Sequence, residues 1–196
     1  MPLRFYHLTD SEVRRRMVDL WRDELASLKA DFPRQGWPYG QYLTDAGRAA
    51  FETAMPQALG ERDDVWLAEQ MRDSRYWLPK ARRAKPKGGH TWVDYDKEDA
   101  LRRLATGEFN VAYVHGLASV LQERGQSECI VYRAGAAAEP RAEYCTDLED
   151  QRVELAQILA DHRRSYFPFE DPDARPIPSG PNCHHSIRGA SEDAVA

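Results

Sequence analysis

The chain has 196 residues, with 42% hydrophobic and 30% charged residues, a formal net charge of −5 and three cysteines. That length fits one domain, or one domain with an extended arm, holding a core of modest size. The net negative charge argues against non-specific duplex binding over the whole surface, no run of 18 apolar residues marks a membrane span, and three cysteines are too few for a disulfide framework.

Elements follow in chain order. Thr9-Asp10-Ser11-Glu12 reads as a capping box. Behind it Val13, Met17, Leu20, Trp21, Leu25 and Leu28 recur at helical spacing, which predicts a helix over about 10–31. Its other face carries Arg14, Arg15, Arg16, Arg22, Asp23 and Glu24 and is expected to face solvent. Phe32-Pro33 ends the helix, and Gly36-Trp37-Pro38-Tyr39-Gly40 reads as an aromatic loop. Thr44 or Asp45 caps a second helix through Ala49, Phe51, Ala54 and Met55, with Pro56 expected to kink or restart it. A third helix is expected from Asp63-Asp64 through Trp66, Met71 and Trp77 to Pro79.

Lys80, Arg82, Arg83, Lys85 and Lys87 then crowd a Pro/Gly-containing segment, expected to be a mobile loop that contacts an acidic partner or nucleic acid. His90 is read as a loop residue. The longest helix is expected within 94–125. Asp94 or Asp96 caps it, Gly125 ends it, and Leu101, Leu104, Phe109, Ala112, Tyr113, Leu117, Val120 and Leu121 form its stripe. Gly107 and Gly116 inside it mark a helix break or a close backbone contact. Cys129 to Tyr132 and Arg152 to Leu155 read as two short strands that pair, followed by one or two helical turns over 156–162. Five prolines between Tyr166 and Pro181 make that stretch extended and irregular, and residues from Arg188 on are expected to fray.

Cys183, His184 and His185 stand consecutively in Gly180-Pro181-Asn182-Cys183-His184-His185-Ser186. A thiol and imidazoles so close can offer two ligands to one soft metal ion. The alternative is a small buried Cys183 beside two histidines on an exposed loop. Cys145 lies 38 residues upstream.

Three segments, 106–116 (Thr-Gly-Glu-Phe-Asn-Val-Ala-Tyr-Val-His-Gly), 145–153 (Cys-Thr-Asp-Leu-Glu-Asp-Gln-Arg-Val) and 180–185 (Gly-Pro-Asn-Cys-His-His), occur in the order that characterises a known family. Residues 98–189 resemble the C-terminal region of the phage Mu F-like head-morphogenesis and minor capsid proteins. Residues 1–95 resemble no family we can name. Under the resemblance, Cys145 falls on the second Cys of the family's Cys-x-x-Cys pair, whose first member is replaced by Ala142. Gly180 replaces the family's His, Asp150 replaces its turn Gly, so that turn is expected to differ, and His185 stands where the last Cys stands. The resemblance thus implies a zinc site built from Cys145, Cys183 and His185, with His184, His162, Glu149 or Cys129 as the fourth ligand. If the lost ligands are not replaced, it implies instead a knot of loops held by hydrogen bonds.

The expected fold is α+β: a helix-rich N-terminal two-thirds, with a small β-sheet and an irregular loop knot at the C-terminal end. The expected organisation is a helical region over 1–95, a minor-head-protein-like domain over 96–189 and a tail over 190–196. The resemblance implies a non-enzymatic phage or prophage virion component, made in the host cytoplasm. It would lie in the capsid interior or at the portal vertex, with the portal or major capsid protein and packaged DNA as partners and no membrane. The alternative is a zinc-dependent nuclease or hydrolase using the Asn182–His185 loop.

Overall fold

The computed structural model describes residues 4–31, 41–84, 89–135, 147–164, 171–180 and 183–190. It is an α+β fold. Helices α1 (Ser11–Asp31), α2 (Asp45–Glu61), α3 (Asp64–Gln70) and α4 (Lys97–Glu123) are followed by a short α5 (Leu155–Ala160). Strands β1 (Ala81–Ala84) and β2 (His90–Val93) form an antiparallel ribbon. Strands β3 (Glu128–Arg133), β4 (Arg152–Glu154) and β5 (His185–Gly189) form a three-stranded sheet with β3 at its centre and both neighbours antiparallel to it.

One hydrophobic core joins the two ends of the chain. Val13, Met17 and Trp21 of α1 and Phe51, Met55 and Leu59 of α2 pack with Leu104, Tyr113 and Leu117 of α4 and with Val131 and Ile187 of the sheet. The regions 1–95 and 96–189 therefore share a core. Phe5 joins it through tilted contacts with Phe109 and Tyr113, at centroid distances of 5.2 and 4.7 Å. The residues just before α1 also bond to the end of β3: Arg4 N–H donates to the Ala134 carbonyl at 2.8 Å, and Tyr132 O–H donates to the Arg4 carbonyl at 2.7 Å.

Several expectations are corrected. The cap of α1 is Asp10, not Thr9; its carboxylate accepts from Glu12 N at 2.9 Å. Helix α2 runs through Pro56 without restarting, because Phe51, Ala54, Met55, Ala58 and Leu59 bury a continuous face on both sides of it. This packing outweighs the one backbone bond the proline cannot donate. Helix α3 stops at Gln70, and Asp73 then caps a separate 3-10 turn, Ser74–Tyr76.

The segment read as a loop after Lys80 opens with strand β1, and His90 lies in strand β2. Cross-strand pairing from Ala81 opposite Val93 to Ala84 opposite His90 supplies order that the Lys/Arg composition conceals. The longest helix falls where expected, capped by Asp96 through Glu98 N at 2.9 Å. It is unbroken at Gly116, so Gly116 marks a close contact. A Cβ there would lie 2.6 Å from Met17 Cγ and 2.9 Å from Met17 N. The absence of that carbon lets α1 and α4 approach backbone to side chain. Residues 185–189, expected as loop and fraying tail, instead form β5.

The charged face assigned to α1 is only partly solvated. Arg22 and Asp23 are exposed. Arg14 instead donates to the Leu59 and Arg62 carbonyls, each at 2.9 Å, and so caps the C-terminal end of α2. Arg16 pairs with Glu123 at 2.5 Å. Glu24 is drawn into a buried ionic cluster. The aromatic loop over 36–40 lies outside the described residues.

Candidate functional site

Residues from three separated segments meet where β5 lies between β3 and α4. In the sheet register His185 stands opposite Arg133, and Ile187 stands opposite Val131. From the helix side, Asn110 Nδ2 donates to the His185 carbonyl at 2.8 Å. Cys183 precedes the strand in a turn closed by its own N–H donating to the Gly180 carbonyl at 3.0 Å. The His184 carbonyl accepts from Ala134 N at 2.8 Å, which extends the pairing one residue beyond the strand.

The His185 side chain is buried, and both of its ring nitrogens are engaged. Nδ1 lies 3.5 Å from Cys183 Sγ, and Nε2 lies 3.3 Å from Glu149 Oε2. Glu149 is held in turn by a two-pronged contact with Arg133, whose Nε donates at 3.0 Å. The Arg133 contact holds the Glu149 carboxyl at about 2, well below its ordinary value, with burial opposing and His185 assisting. The His185 imidazole is raised above its ordinary value by the Cys183 contact, against burial and with help from Glu149. The result is a polar line, Cys183–His185–Glu149–Arg133, that fixes the ring from both sides.

Asp150 adopts φ +63°, the left-handed conformation that glycine favours and that Asp tolerates better than most residues. The turn closes on β3, with Asp150 N donating to the Val131 carbonyl at 2.8 Å.

The proposed metal ligands fare unequally. Cys183 Sγ and His185 Nδ1 have the separation of about 3.5 Å that two ligands of one tetrahedral zinc require. Among the described residues, no group of three His, Cys, Asp or Glu is arranged to hold a metal. Glu149 cannot complete that pair, because it sits at the opposite nitrogen of the ring. Cys129 is excluded by topology: it lies opposite Gly189, four strand positions from Arg133, or roughly 13 Å along the sheet. Burial pushes its thiol up to about 12. His162 belongs to a different cluster. His184 is half-buried, and Cys145 lies outside the described residues.

Of the basic residues, Lys80 pairs with Asp94 at 3.2 Å. Arg82 and Arg83 are exposed on β1, and Lys85 and Lys87 lie outside the described residues.

A second polar cluster went unseen in the sequence. Glu108, in the first of the three segments, is 3% exposed and takes both prongs of Arg163, at 3.1 and 2.8 Å. Arg163 also reaches Glu24 at 2.5 Å, and His162 stacks on His115 with ring centroids 4.0 Å apart. Burial alone would push the Glu24 carboxyl up, but the charge of Arg163, with His162, brings it to about 2. Burial pushes the His115 imidazole down to about 3. Only the buried side of Glu108 in the helical pattern of α4 could have signalled this cluster, since every member belongs to a usually exposed residue type.

Comparison of the chain with family models, with curated proteins and with solved structures returns no match. No described helix is long and apolar enough to cross a membrane.

Proposed function

We propose that the chain is a minor head protein of a tailed phage or prophage, a virion component that associates with the portal or inner capsid surface and assists head assembly or genome delivery. The reading rests on the sequence resemblance, since function belongs to sites and not to folds. One structural observation supports it: the three segments that carry the resemblance, far apart in sequence, contribute Asn110, Glu149 and the Cys183–His185 pair to a single knot. Segments retained only as unrelated fragments would have no reason to converge. The left-handed Asp150 at the family's glycine position points the same way.

The hydrolase reading draws less support. A histidine that activates water needs a ring nitrogen facing it, whereas His185 is 3% exposed with Glu149 on one nitrogen and Cys183 on the other.

The test is to locate portal and major capsid genes in the genome that encodes the chain, co-express their products with it, then purify assembled heads and quantify the chain by mass spectrometry. The proposal expects a fixed copy number per head, retained through a density gradient. A chain absent from purified heads, or one that cleaves DNA or RNA in a metal-dependent manner lost in His184→Ala or His185→Ala, would overturn it.

A further inference from the structure

The β1–β2 ribbon takes no part in the knot, and its two faces differ. Ala81, 4% exposed, and its cross-strand partner Val93 turn toward the body of the protein. The outer face carries Arg82 and, two positions apart on β2, His90 and Trp92. Trp92 is 58% exposed, against 44% for Tyr6 and Val65, the other exposed large apolar side chains among the described residues. Arg82 stands directly opposite Trp92, and its Nη2 lies 3.1 Å from His90 Nδ1. Arg83 is also exposed, but it stands opposite Thr91 on the other face of the ribbon. Lys80 is paired with Asp94, but no carboxylate among the described residues pairs with Arg82 or Arg83.

A single exposed apolar side chain needs no explanation. An exposed indole with a guanidinium directly across from it and an imidazole alongside is a more particular pattern. A flat π-face beside an unneutralised cation matches the two halves of a nucleotide, the base and the phosphate. Bases in a duplex already stack on one another and offer the indole no free face; those of a single strand do. An acidic protein surface would satisfy the guanidinium and leave the indole without a flat partner.

We propose that the outer face of the β1–β2 ribbon binds single-stranded nucleic acid, with a base stacked on Trp92 and a phosphate held by Arg82. This inference stands on the ribbon alone and does not depend on the minor-head reading. The chain's net charge of −5 works against a polyanion, so the affinity falls steeply with salt.

The test uses the full chain and a fluorescein-labelled oligothymidylate of about 20 nucleotides, titrated by fluorescence anisotropy from about 50 to about 200 mM salt. Trp92→Ala is expected to weaken binding by roughly tenfold, Trp92→Leu by as much, and Trp92→Phe by clearly less, since stacking and not apolar bulk carries the contact. Arg82→Ala is expected to lower the slope of log affinity against log salt by about 0.7, the value for one phosphate contact on a single strand. A duplex of the same length is expected to bind more weakly. Both substituted positions are exposed, so unchanged circular dichroism and melting temperature separate loss of binding from loss of fold. Absence of saturable binding at the lowest salt, equal affinity of the wild type and Trp92→Ala, or a preference for the duplex would each overturn the proposal.

Discussion

The side-chain amide of Asn110 reaches across the core to donate to the backbone carbonyl of His185, 75 residues away, at 2.8 Å. Asn110 is fully buried, so this bond forms where water does not compete. Asn110→Leu removes the donor and leaves a buried carbonyl unsatisfied, a loss of about 1–3 kcal/mol. A urea midpoint equal to that of the wild type would show that β5 does not depend on α4 for its place.

Arg163 neutralises two acidic side chains, Glu108 and Glu24, with its own side chain only 3% exposed. Arg163→Ala strands both carboxylates and is expected to cost about 3–5 kcal/mol. The double variant E108Q/R163M, which removes the bidentate pair together, is expected to be more stable than Arg163→Ala. Denaturant titration of the wild type, Arg163→Ala, the single variants Glu108→Gln and Arg163→Met and the double variant decides it, and additivity of Glu108→Gln and Arg163→Met in the double would refute the coupling.

Acid should destabilise the protein through His115. Its ordinary value is 6.5 and its folded value about 3. Between these values the unfolded chain takes up a proton that the folded protein refuses. Stability is therefore full above about pH 6.5 and falls as pH drops toward 3, by up to about 1.4 kcal/mol per unit. Glu24 adds a loss of the same sign only below its ordinary 4.5, as pH falls toward about 2. The group is faced by His162 and Arg163 from the turn after α5 and by Glu24 from α1. Thermal melts of His115→Gln should show a flatter pH dependence than the wild type between about 6.5 and 4.5. Parallel curves would exclude His115 as the titrating group.

Gly116→Ala should be harmful although alanine is the better helix former. The new carbon meets Met17 backbone atoms at 2.9 and 3.0 Å, so α1 must shift. The expected cost is about 1–3 kcal/mol, read as a lowered melting temperature. A rise, as propensity alone would give, would show that the contact relaxes freely.

Helices α1, α2 and α4 were legible because their apolar stripes are long and regular, and Thr44 and Asp96 announce their starts. Strand β5 was not: His185-Ser186-Ile187-Arg188-Gly189 has no β-type run, and its extended form follows from pairing with β3. The ribbon was hidden for a related reason, since Arg82 and Arg83 read as loop residues until their cross-strand partners are known. At the knot, Cys183 and His185 stood out as chemistry, but Glu149 entered only as one alternative among several ligands. The Glu24–Arg163–Glu108 cluster was invisible because its charges looked like surface. Burial of a charge depends on a partner from elsewhere in the chain, which local spacing does not reveal.

The central place of β3 also orders events during synthesis. Its two neighbours lie later in the chain, and β5 starts at residue 185. A ribosome that has delivered β3 must translate more than fifty further residues before that strand's second edge is covered and Asn110 finds its acceptor. Until then the nascent chain carries an open strand edge, the feature most prone to pairing with a neighbour's. A stop codon anywhere between α5 and β5 would fix that exposed state, so such products should be lost to aggregation or proteolysis although every helix in them is intact.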